Sequence, residues 1–170
     1  MAARRDLALR MRAGQQLVFG EQLGWLAPTV VREKGSAEFF RQVVHLRRHL
    51  APYFSAGEMA RPPKLAGSVP IVRADWQWGG VDWVTTDAVL TGAWHQPNAK
   101  RLALVFVNVS TNEVTAQVNY DLRPYGLDGA TTRLTTLSPE GPGQSSTTPA
   151  TLRREVVFPP QSAVAWELQP

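Results

Sequence analysis

Residues 101–122, RLALVFVNVSTNEVTAQVNYDL, constrain this chain more than any other stretch of its 170 residues. From 101 to 109 the sequence is an almost unbroken apolar run. That is the pattern of a strand covered on both faces. Val114, Ala116, Val118, Tyr120 and Leu122 then alternate with Thr115, Gln117, Asn119 and Asp121, which describes a strand with one face in water. A polar turn joins the two. The first strand needs a layer above it and a layer below it, and the second needs only one.

A pass along the chain gives an α+β order, helices first and strands after. Residues 4–13 suit a helix closed by Gly14, and 16–20 suit a short strand. A loop over 21–35 holds Gly24, Trp25 and Pro28, and a second helix covers 36–51. On that helix Phe39, Phe40, Val43, Val44, Leu46 and Leu50 form an apolar stripe at helical spacing. Pro52 sets its limit, and Gly57, Pro62 and Pro63 mark a linker over 57–72. Strands are predicted at 70–76, 81–86, 88–94, 101–109, 114–122, 131–138, 151–158 and 162–168. The Pro/Gly/Ser/Thr-rich stretch 139–150 reads as a loop. Residues 73–170 thus form an antiparallel β-sandwich. Residues 1–56 contain one strand without a sheet partner, which reads as the end of a larger domain. Without that domain the stripe on 36–51 is expected to stand exposed and to drive self-association.

Composition removes several classes. The chain has no cysteine, so disulfides and thiolate metal sites are excluded. No apolar run approaches the ~20 residues of a membrane-spanning helix, so no membrane partner is expected. Arg10 and Arg12 interrupt any signal-peptide core, which places the protein in the cytoplasm if Met1 is the true start. Residues 1–56 carry nine Lys/Arg against four Asp/Glu, and 57–170 carry nine against ten. The basic side chains are spread over several elements and no nucleic-acid motif accompanies them, so solvated helix faces are the simpler reading.

Candidate chemistry is sparse. His45 and His49 stand at i and i+4, the spacing of two ligands on one helix face, but a zinc site needs a third protein ligand. No metal and no cofactor are expected. Gly79 and Gly80 fit a turn between strands. Asn108-Val109-Ser110 matches the glycosylation sequon, yet it sits in a strand that looks buried. Trp76, Trp78, Trp83 and Trp94 are four of the six tryptophans. They suit a sandwich core, or flat platforms on which the C–H faces of sugars stack.

Four segments together, VFGEQLGWLAP, FFRQVVHLRRHLAPYF, GEMARPP and RLALVFVNVS, resemble the C-terminal end of a glycoside hydrolase family with a TIM-type barrel and a C-terminal β-sandwich. Its layout is similar to that of α-galactosidases, α-glucosidases and amylases. The resemblance implies that 4–13 ends the seventh barrel helix, that 16–20 is the eighth strand of a (β/α)8 barrel and that 36–51 is the eighth helix. Residues 73–170 would be the sandwich. The carboxylate pair of such enzymes lies on earlier strands. The loop after the eighth strand would face the cleft, making Glu21, Gln22 and Trp25 the substrate-binding residues. The same layout leaves Glu58 and Arg61 structural. Carbohydrate is the implied partner, bound weakly or only together with the barrel. The alternative is a free-standing carbohydrate-binding or protein-interaction sandwich whose helices cap it.

Overall fold

The structure, a computed structural model, describes residues 2–24, 34–75, 83–127 and 132–170. Two helices, α1 (Ala2–Val18) and α2 (Lys34–Ala56), come first. Two short strands follow, β1 (Glu58–Met59) and β2 (Lys64–Ala66), and then a hairpin of β3 (Ile71–Asp75) and β4 (Trp83–Asp87). The remaining strands are β5 (Val89–Gln96), β6 (Arg101–Asn108), β7 (Val114–Asp121), β8 (Arg133–Ser138), β9 (Gly141–Thr147), β10 (Thr151–Phe158) and β11 (Ser162–Gln169). One sheet runs β1-β5-β6-β11-β8-β9, a second runs β10-β7-β2, and the hairpin stands as a third. The described pairings are antiparallel. The chain is α+β, and most of it is sheet.

The apolar run now has both of its covers. Ala103, Val105 and Val107 of β6 face the helices and join Met11, Leu17, Phe39, Val43, Leu46 and Leu50 in one core. Leu102, Leu104 and Phe106 face the smaller sheet and join Val118, Leu152, Phe158 and Trp166 in the other. Each valine, leucine, phenylalanine or methionine among them stabilises the fold by roughly 1.5–3 kcal/mol when taken out of water. In β7 buried and exposed residues alternate along the whole strand, as the sequence predicts.

Several expectations are corrected. Residues 16–18 are helical and 19–20 form a turn, so the short strand at 16–20 is not there. Gly14 does not cap α1. A Cβ on it would lie 2.9 Å from Leu90 and 3.1 Å from Val107, so glycine lets the helix settle on the sheet. The cap is Gly20, at φ +67, a conformation that glycine adopts without strain. Its carbonyl accepts a hydrogen bond from Arg47 at 3.1 Å. The stripe on 36–51 is not exposed: Phe39, Phe40, Val43, Leu46 and Leu50 are buried against α1 and the six-stranded sheet. The surface through which self-association was expected is therefore covered.

Pro52 does not end α2, which runs on to Ala56. Its last turn carries Tyr53 into the core and sets Phe54 edge-on to Trp94. The stretch 139–150 is not a plain loop, since 141–147 is strand β9 on the rim of the large sheet. An edge strand tolerates Pro142, because only one side of it is paired. Within 57–72, β1 adds to β5 and β2 adds to β7, so this segment crosses from one sheet to the other.

Candidate functional site

The six-stranded sheet is wider than the three-stranded sheet laid over it. Beyond β10, the last strand of the smaller sheet, parts of β8 and β11 are left open. A groove of about 490 Å³ lies there, lined by Trp166, Val164, Val156, Thr136, Arg154, Glu155, Glu140 and Gln42 among others. Strand alternation puts Val164, Trp166 and Leu168 of β11 toward the smaller sheet. Phe106 packs against one side of the indole, with ring centroids 4.9 Å apart. On β10, Arg154 is exposed, and its guanidinium carbon lies 5.7 Å from the Trp166 ring centroid. The indole is thus held from the core side and covered from outside by a side chain that faces water.

The rim carries both signs of charge. Glu140 sits in the β8–β9 turn, where the Ser138 hydroxyl donates to its carboxylate at 2.8 Å. That bond, its own backbone N–H and the nearby Arg41 hold the carboxyl below its usual range. A second concavity of about 420 Å³ lies on the outer face of the smaller sheet, among Gln117, Asn119, Asp121, Thr151 and Arg153. Tyr120 also lines it, with its side chain turned into the core between the sheets.

The residues picked out by sequence are dispersed. Glu21 and Gln22 are exposed in the stretch that leaves α1. Trp25, Trp76 and Trp78 lie outside the described residues, as does the side chain of Trp83. The strand that would have aimed the 21–35 loop at a cleft is helix and turn. Trp94 is core, and its Nε1 donates to the Val18 carbonyl at 3.0 Å. His49 is exposed and His45 half-buried, and no group of three or more His, Cys, Asp or Glu is placed to hold a metal among the described residues. Arg61 is held through its backbone: its carbonyl accepts from Tyr120 at 2.6 Å and its N–H donates to Tyr125 at 3.2 Å. Glu58 lies 3.7 Å from His95 Nδ1.

Asn108 is not available to a glycan. Its amide nitrogen donates to the carbonyls of Asn112, Phe158 and Pro159 at 2.9–3.0 Å. Its oxygen accepts from the Ser110 backbone and hydroxyl. The sequon geometry is used up in a buried turn.

Sequence reasoning missed Arg154 and Trp166. Their strands were predicted, but nothing local shows that β10 is an edge lying over β11. Only the strand order reveals it.

The class defined by these layers is a helix-backed antiparallel sandwich. No protein-family model and no curated protein matches the sequence. Among solved structures the chain is similar to a GH30 endoxylanase from Clostridium papyrosolvens, at TM-score 0.45 and 13% identity over 97% of this chain and 38% of that one. It is also similar to an arabinofuranosidase, at TM-score 0.36 and 13% identity over 61% and 24% of the two chains. A thermostable GH51 α-L-arabinofuranosidase from Thermotoga petrophila gives 0.35 and 15% over 60% and 24%. The chain spans between 24% and 38% of the length of these structures. Likeness at that level leaves the chemistry to the residues themselves.

Proposed function

We propose that this chain is the C-terminal part of a glycoside hydrolase, with a sandwich that supports a catalytic barrel and is not itself catalytic. What supports the second half is the pairing of four of the described acids with arginines and hydroxyls. Glycoside cleavage by a carboxylate pair needs one member with a raised pKa, to protonate the leaving oxygen. Here Glu38 is tied to Arg41 at 2.8 Å and Asp121 to Arg123 at 2.8 Å. Hydrogen bonds from those arginines pull both carboxyls below their usual range. Glu140 is lowered as well, and Glu167 is engaged by Arg101 and by Tyr53. These groups are suited to holding structure.

The first half rests on the resemblance of four segments and on the order of a helical layer followed by a sandwich. Carbohydrate would reach the protein mainly through the barrel. Glu21, Gln22 and Trp25 stay candidates for contact with it on the resemblance alone.

The groove at β10 favours a second reading, a free-standing carbohydrate-binding sandwich. The DNA upstream of the Met1 codon separates the two. An in-frame continuation encoding barrel strands with strand-end Asp or Glu supports the first reading. A ribosome-binding site preceded by an in-frame stop codon supports the second and removes the first.

A further inference from the structure

We propose that the groove beside β10 binds a neutral sugar ring, with Trp166 as its floor and Arg154 as a movable cover. The proposal deepens the carbohydrate reading above and names the site in this chain that would serve it. A sugar ring is amphipathic: one face presents C–H groups and its edge carries hydroxyls. The groove has the matching division. Trp166, Val156 and Val164 line it with apolar surface, and Gln42, Glu140 and Arg154 offer donors and acceptors around it. A groove of about 490 Å³ lies within the roughly 300–1,000 Å³ of small-molecule sites.

Charge argues for a neutral ligand. Arg154 stands with Glu140 and Glu155 on the same groove, and the Arg41–Glu38 pair near Glu140 adds one charge of each sign. An anion would gain from the guanidinium and lose to both carboxylates, and a cation would meet the reverse. Hydroxyl groups use both kinds of partner without conflict, accepting from Arg154 and donating to Glu140.

Trp166 is only 3% exposed, so a sugar reaches it only if its cover moves. Arg154 is exposed, with a long side chain, and its guanidinium stands 5.7 Å above the ring. Such a contact at an exposed site is weak. Swinging aside keeps the guanidinium in water and leaves it at the rim, able to bond a ring hydroxyl.

The test is a titration of the purified chain with neutral gluco-, galacto-, xylo- and arabino-oligosaccharides and with a uronic-acid oligosaccharide. Binding is read by calorimetry and by the indole N–H resonance of Trp166, which Trp166→Phe identifies. At least one neutral oligosaccharide should shift that resonance, with the uronic acid binding no more tightly. Glu140→Ala should weaken binding about tenfold, the loss of roughly one hydrogen bond. Arg154→Phe should abolish it, since an apolar ring laid over the indole has no reason to swing into water. Unchanged melting in both variants shows that the fold is intact. The proposal is overturned if no neutral sugar moves the Trp166 resonance, or if binding survives both substitutions at full strength. Either result leaves the upstream reading-frame test standing, because a sandwich can support a barrel with this groove empty.

Discussion

Asn108 shows how one side chain can fasten three backbone segments. Its two amide protons are shared among three carbonyls, and its oxygen takes both groups that Ser110 offers. Replacing it leaves several buried backbone groups without partners, each costing roughly 1–3 kcal/mol. Asn108→Ala should therefore lower stability by about 3 kcal/mol, read as a lower urea midpoint at unchanged slope. For the same reason, expression in a glycosylating host should leave Asn108 bare by mass spectrometry. A glycan there would mean that the turn opens before the chain is folded.

The two buried tyrosines make a second prediction at this scale. Burial first, and then hydrogen bonding to Glu167, pushes the Tyr53 hydroxyl well above its usual pKa; burial first, and then Tyr125, does the same for Tyr120. Both groups therefore stay protonated in the folded chain after they ionise in the unfolded one. The sign follows: their stabilisation is fully present below about pH 10 and is lost as pH rises beyond it, at about 1.4 kcal/mol per pH unit for each. Stability measured against pH should bend downward near pH 10. Tyr53→Phe with Tyr120→Phe should remove that bend. A bend unchanged in the double variant would assign it to other groups.

At the scale of elements, the helices belong to the same core as the strands. Tyr53 donates to Glu167 of β11 at 2.8 Å, Arg101 pairs with the same carboxylate, and Arg101 also lies over the Tyr53 ring. The buried Arg10 reaches from α1 to the Val109 carbonyl at 2.9 Å. Removing residues 1–56 would uncover Ala103, Val105, Val107 and Ala165 together. Limited proteolysis should therefore release no stable fragment beginning near residue 60, and the helices should resist cleavage as long as β6 and β11 do. Early loss of α1 and α2 with a surviving sandwich would contradict this. The sequence made the two-sided burial of β6 and the alternation of β7 legible, because both follow from side-chain periodicity alone. It misled at Gly14, where a glycine chosen for close approach to Leu90 and Val107 looks the same as a cap. It misled again at 139–150, where an edge strand needs little intrinsic preference once β8 offers it a partner. The groove lay beyond sequence reasoning because it arises from strand order, which brings 154 over 166.

At the scale of the whole molecule, the chain is three layers with a sheet at the centre. Among the described acids, Glu38, Asp121 and Glu167 are paired with arginines and Glu140 with the Ser138 hydroxyl, while Trp94 packs against Phe54 and Trp166 against Phe106. If the chain is the supporting part of a larger enzyme, as proposed above, it turns over no glycoside alone. The direct measurement is a screen of the purified chain against chromogenic α- and β-glycosides across the acid-to-neutral range. Release of chromophore should stay at the level of buffer alone. Turnover that disappears when one carboxylate within this chain is replaced by its amide would contradict it.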